Sequence, residues 1–143
     1  MNSGPALVSI LRQGSYLIAS VHTALDDTEM VRFRRDLIDQ IGRYRARGVI
    51  IDVAALDVLD SFGFNTLRSI GEIARLRGAE TVIVGIQPDV ALAMVELGMR
   101  TGPVSTALDL EEGLDVLHAR LSGVPDKLPD PSSRLAARPA TRS

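Results

Sequence analysis

The chain is 143 residues long, with 16 Lys and Arg against 18 Asp and Glu, a formal charge of −2 and no Cys. That length supports one domain with its own core. The rest excludes a disulfide framework, a thiolate metal site and the positive field that nucleic acid requires. With no Trp, two Tyr and three Phe there is little aromatic surface for stacking, no run nears the roughly 18 apolar residues of a membrane span, and MNSGPALVSI lacks the features of a secretory signal. The expectation is a cytoplasmic chain with no cofactor, no metal, no nucleic-acid partner and no membrane contact.

Leu7 to Leu11 and Tyr16 to Val21 are short β-type runs separated by Arg12-Gln13-Gly14-Ser15, a predicted hairpin. Asp26 and Glu29 have the spacing of a capping box, and Met30, Phe33, Leu37, Ile41 and Tyr44 follow at helical steps. Arg43, Arg45, Arg47 and then Gly48 mark the end of that helix. Val49-Ile50-Ile51-Asp52-Val53 reads as a strand covered on both faces. A second helix is predicted from about Ser61, turning Phe62, Leu67, Ile70 and Ala74 inward and closing at Arg77-Gly78. Thr81 to Val84 is the next buried strand. Pro88 opens a third helix with Val90, Ala91, Met94, Val95 and Leu97, and Pro103-Val104-Ser105 suggests an edge strand. Asp109 and Glu112 form another capping box for a last helix that buries Leu110, Leu114, Leu117 and Leu121.

Strands alternating with helices predict an α/β domain with a mixed, mostly parallel sheet of four to five strands and about four helices. The domain is expected over 6–121, after a short extension at 1–5. The tail 122–143, rich in Pro, Ser and Arg, has no apolar period and is expected to be disordered.

The most informative segment is VIIDVAALDVLDSFGFNTL, residues 49–67. A buried strand leads through an acidic loop to Asp60-Ser61 and a helix, so Ser61 is expected at or beside the N-cap. Ser and Asp are preferred caps for structural reasons alone. The same place also tolerates a phosphate, because a helix N-terminus offers free N–H groups and partial positive charge. A phosphate on Ser61 would stand among Asp57 and Asp60 as a new negative patch.

Asp60-Ser61 after this strand and loop resembles the phosphoacceptor motif of STAS-domain anti-sigma-factor antagonists. The resemblance continues through Gly85-Ile86-Gln87-Pro88-Asp89-Val90-Ala91, Glu96-Leu97-Gly98 and Thr106-Ala107-Leu108-Asp109-Leu110, covering about 6–121. With Asp60-Ser61-Phe62, these blocks are most similar to the small scaffold antagonists of the stressosome. Phe62 before Gly63, where many antagonists carry a small hydroxyl residue, favours that branch.

The resemblance implies a module that binds a switch-protein serine kinase while unmodified and releases it once the kinase has phosphorylated Ser61. It also implies a cognate phosphatase and homo- or hetero-oligomers with sensor-bearing STAS paralogues. The partner surface is expected at Asp57, Asp60, Ser61, Phe62, Phe64 and Asn65. The alternative is a ligand-binding or structural STAS-fold domain in which Ser61 is only a helix cap.

Other signals are weaker. His22 and His118 lack metal-ligand spacing, and no G-x-S-x-G elbow makes Ser61 a catalytic nucleophile; no enzyme activity is expected. Gly85-Ile86-Gln87-Pro88 lacks either phosphate-loop pattern and reads as a tight turn. Arg43, Arg45 and Arg47 read as a solvated helix end, and Thr66 as a structural helix residue. If Phe62 points inward, Phe64 is partly exposed beside Ser61; otherwise both are buried.

Overall fold

The computed structural model describes residues 6–123. In chain order the elements are β1 (Val8–Gln13), β2 (Tyr16–Val21), α1 (Asp27–Tyr44), β3 (Gly48–Asp52), α2 (Ser61–Leu76), β4 (Glu80–Val84), α3 (Pro88–Glu96), β5 (Val104–Ala107) and α4 (Leu110–Leu121). The strands lie in the sheet in the same order, β1-β2-β3-β4-β5. β1 and β2 form the expected antiparallel hairpin, with Val8 opposite Val21 and Gln13 opposite Tyr16. The other three pairings are parallel, placing Tyr16 beside Gly48, Gly48 beside Glu80, and Thr81 beside Val104. The α/β class and the mixed, mostly parallel sheet are as the pattern predicts.

Alternation along the strands divides the core in two. Leu17, Ala19, Val21, Val49, Ile51, Val53 and Ile83 meet Phe33, Leu37 and Ile41 of α1 and Leu67, Ile70 and Ala74 of α2. On the opposite face Ile18, Ile50, Val82 and Val84 gather around Leu117 of α4. Fully burying each such side chain is worth about 1.5–3 kcal/mol, so both layers are needed. Gly113 lets α4 lie close to the sheet, since a Cβ there would come 2.7 Å from Val84 Cγ1.

The caps form largely as read. Asp26 accepts from Glu29 N at 2.7 Å while Glu29 accepts from Asp26 N at 2.8 Å. At α4, Asp109 accepts from Glu112 N at 2.9 Å, but Glu112 reaches back to Leu108 N, one residue earlier than a capping box requires.

Several inward assignments are corrected. Tyr44 is exposed and lies under the Arg12 guanidinium, 4.8 Å from its ring centroid. Leu110 is exposed, and α4 buries Gly113 and Ala119 instead. Val95 and Leu97 are exposed, because only the Val90–Met94 face of α3 has a neighbour. The edge strand lies one residue later than expected and runs to Ala107. Ser122 caps α4; the extension at 1–5 and the tail from 124 lie outside the described residues.

Candidate functional site

The loop joining β3 to α2 emerges at the carboxyl end of the sheet, between two interior strands. It is tied down before it reaches Ser61. Asp52 Oδ1 accepts from Ala54 N at 2.9 Å, closing a short side-chain turn. Val53 N donates to Val84 O at 3.0 Å, and Leu56 N to Val53 O at 2.9 Å. From the neighbouring loop, Gln87 Nε2 donates to Ala54 O at 2.7 Å.

Gly85 makes this crossing possible. Its φ is +80°, and a Cβ there would fall 2.8 Å from Ala54 Cβ and 3.1 Å from Ala54 N. A side chain would meet backbone on one side and left-handed strain on the other. Gly85 therefore lies in close contact with the loop that carries the site.

Asp60 is the N-cap of α2. Its backbone is extended (φ −82°, ψ 177°), and its Oδ1 accepts from Gly63 N at 2.7 Å. Ser61 is the first helical residue and is exposed. The capping role weighed for Ser61 thus belongs to its neighbour. Asp60 satisfies the orphan N–H of Gly63 and leaves the Ser61 hydroxyl outside that bond.

Asp57, Asp60, Ser61, Phe62 and Asn65 are all exposed, with Asn65 one turn beyond Ser61. Phe64 departs from this group. It is 2% exposed and packs with Val90 and Met94 of α3, whereas Phe62 is 41% exposed. The aromatic available beside Ser61 is therefore Phe62. The inward stripe of α2 is completed by Gly63, Phe64 and Thr66 in place of Phe62. Thr66 is buried, and its Oγ1 donates to Phe62 O at 2.8 Å, a bond within the helix.

Phe62 shares a shallow depression of about 350 Å³ with Asp27, Thr28, Val31, Arg32 and Arg35 of α1. That α1 borders Phe62 was not legible in the sequence. Its one available signal is Val31, an apolar residue off the helix's inward stripe and exposed here. His22 shares a hydrogen bond with Ser9 Oγ at 2.7 Å on the hairpin, and His118 stands in the last turn of α4. Among the described residues no group of three or more His, Asp and Glu is arranged to hold a metal ion. No described helix is long and apolar enough to cross a membrane.

A hairpin followed by parallel crossovers, with helices on both faces of the sheet, fits the STAS class. The STAS domain family model matches residues 8–112, and the chain belongs to that family. Over 89 residues it is 30% identical to the RsbT co-antagonist protein RsbRA of Bacillus subtilis strain 168, covering 62% of this chain and 32% of the relative. The chain thus spans about a third of that curated relative's length.

Among solved structures it resembles a serine-to-glutamate variant of Moorella thermoacetica RsbS, at 32% identity and a TM-score of 0.71, covering 82% of this chain and 99% of that one. It also resembles a chain from the molecular architecture of the stressosome, a signal integration and transduction hub. There the identity is 31% and the TM-score 0.64, covering 79% of this chain and 98% of that one.

Proposed function

We propose that this protein is a phosphorylation-controlled antagonist of the stressosome type, acting in the cytoplasm, with Ser61 as its phosphoacceptor. The observation that carries the proposal is the division of labour at the start of α2. Asp60 caps the helix through Gly63 N at 2.7 Å, while Ser61 is exposed and flanked by the half-exposed Phe62. The resemblance to RsbS, to a stressosome chain and to an RsbT co-antagonist supports a partner of the switch-kinase kind.

In the unmodified form a serine kinase docks on Asp57, Asp60, Ser61, Phe62 and Asn65, with Phe62 as the apolar anchor. Buried aromatic anchors of this sort commonly dominate an interface. The kinase transfers the γ-phosphoryl of ATP to Ser61 Oγ: the bond to ADP breaks, the Oγ–P bond forms and the hydroxyl proton is released. The product carries about −1.5 to −2 of new charge at neutral pH.

The fold accommodates that charge. It lies at a helix N-terminus, whose partial positive charge favours an anion, directly after a loop fixed by Asp52 and Gln87. The docked partner meets a phosphate beside two aspartates and dissociates. A separate phosphatase restores the hydroxyl, and sensor-bearing STAS paralogues join the assembly.

The test is intact mass and peptide mapping after incubation with ATP and the switch kinase encoded nearest to this protein, for the parent and Ser61→Ala. One phosphate on the parent, mapping to Ser61 and absent from the variant, is expected, together with retained kinase binding by Ser61→Ala and weak binding by Ser61→Asp. A parent that acquires no phosphate, or one that maps elsewhere, overturns the assignment.

A further inference from the structure

A shallow trough runs along the outer surface between α1 and α2. At one end lies the depression of Phe62, bordered by Val31, Arg32 and Arg35. A second depression, of about 470 Å³, follows it and is bordered by Arg35, Ile38, Gly42, Arg43 and Arg77. Arg35 belongs to both and joins them. The span from Phe62 to Arg77, the C-cap of α2, is roughly 22 Å at the rise of an α-helix.

The trough is basic. Arg32, Arg35, Arg43 and Arg77 line it against Asp27 and Asp39, a local reversal on a chain whose formal charge is −2. Asp39 pairs with Arg43 at 3.3 Å, and Arg35 reaches Asp36 on its own helix at 3.5 Å. Both pairs are exposed to water and hold their arginines weakly. Arg32 and Arg77 take part in no ion pair among the described residues. Glu72 is exposed on α2 but lines neither depression. Arg77 fills the space that a side chain at Gly42 would take, since a Cβ there would come 2.8 Å from Arg77 Nη2.

Beyond Phe62 the sign changes. Asp57 and Asp60 are exposed in the loop before Ser61, so the surface has an acidic end, an exposed aromatic ring and a basic end. We infer that the switch kinase assigned above to Ser61 lays an acidic segment in this trough, its carboxylates on Arg35 and Arg77 and an apolar side chain against Val31 and Phe62. The excess of positive charge selects an anionic occupant. The exposed or half-buried Val31, Ile38 and Phe62 select a polypeptide over a free anion, which has nothing to place on them. Phe62 belongs to both the trough and the docking surface around Ser61, so one partner covers both. Opposite charge at the two ends fixes the direction in which that partner lies across Phe62. Arg35 and Arg77 are positioning residues: they hold the kinase so that Ser61 Oγ meets its active site, and they take no part in the transfer itself.

The test is the initial rate of Ser61 phosphorylation by the switch kinase encoded nearest to this protein, measured against the concentration of the full chain at low and high salt. The parent's KM should rise with salt. Arg35→Glu should raise KM about tenfold, and Arg35→Glu combined with Arg77→Glu on the order of a hundredfold. In both, kcat should stay within about twofold, the pattern of lost docking with intact transfer. Arg35→Lys keeps the charge and should keep most of the parent's affinity. Arg120→Glu makes the same change of net charge on α4, across the sheet, and should leave KM unchanged. All four variants should melt like the parent, because the three arginines are exposed.

If Ser61 is phosphorylated while Arg35→Glu keeps the parent's KM, or lowers kcat alone, the trough is not the docking surface. An equal rise of KM in Arg120→Glu overturns it as well, since net charge would then be all that matters. In those cases the assignment of Ser61 stands. If Ser61 takes no phosphate from the kinase, the assignment and the acidic partner fall together.

Discussion

Replacing Asp60 and Ser61 in turn by alanine separates two roles that adjacent residues of the same motif are easily given together. Asp60 Oδ1 accepts from Gly63 N at 2.7 Å, and Gly63 is buried, so water replaces that acceptor poorly. Losing an N-cap of this kind costs about 1 kcal/mol. Removing a carboxylate from the positive end of the helix adds about 0.3–1 kcal/mol at low salt. Asp60→Ala should therefore lose about 1–2 kcal/mol, lowering the thermal midpoint by roughly 4–8 °C for a domain of this size.

Ser61→Ala should stay within about 0.5 kcal/mol of the parent, since an exposed first-turn serine carries no capping bond and alanine is the better helix former. Asp60→Asn should fall between them, keeping an acceptor while losing the charge. The assay is urea and thermal unfolding followed by far-ultraviolet circular dichroism at neutral pH, at low and at high salt. Salt should shrink the deficit of Asp60→Asn and leave most of that of Asp60→Ala. A Ser61→Ala variant as unstable as Asp60→Ala would refute the division of roles, and with it the argument that the Ser61 hydroxyl is free for modification.

Phe62→Ala should unfold within about 1 kcal/mol of the parent yet lose switch-kinase binding in a pull-down, whereas Phe64→Ala should cost about 3–5 kcal/mol. The reverse ranking in denaturant would mean the two rings are misassigned. Gly85→Ala should cost at least about 2 kcal/mol, from its positive φ and the nearby Ala54 backbone; a neutral outcome in the same melt would contradict the loop crossing. Leu117→Ala should lose about 2–5 kcal/mol, since Leu117 is fully buried between α4 and the sheet. A change below 1 kcal/mol would show that this face tolerates a cavity.

The centre of the sheet was legible because β2, β3 and β4 are mostly buried runs with clear punctuation. Val49 to Val53 and Thr81 to Val84 have the length, β-branching and flanking helices that only a covered parallel strand combines. The capped start of α1 was equally plain, since Asp26 and Glu29 act on one another locally.

What was not legible depends on neighbours distant in sequence. Phe62 and Leu67 both fit an inward stripe, but the stripe at Ser61 runs past the part of the fold that could cover it, and Phe64 takes the contact with α3. Val95 and Leu97 read as core because they are apolar, although α3 packs on one side only. The hydrogen bond from Gln87 to Ala54 joins positions 33 residues apart, with no local spacing to announce it. At the site, the Asp60-Ser61 pair was legible as a unit, but which of the two caps the helix is decided by one backbone step.

The two faces of the sheet are closed at different moments in the life of the chain. Strand order follows chain order, so a growing polypeptide adds each strand to the edge of those already made, and α1 and α2 cover their face as they go. The other face waits. Ile18, Ile50 and Val82 are in place long before Leu117, and α4, the last of the described elements, is the helix that shelters them. A chain interrupted before Leu110 would carry a nearly finished sheet with one bare greasy side, the sort of surface that chaperones and proteases seize. The helix α4 thus seals the domain, and a chain made past Leu121 escapes that triage.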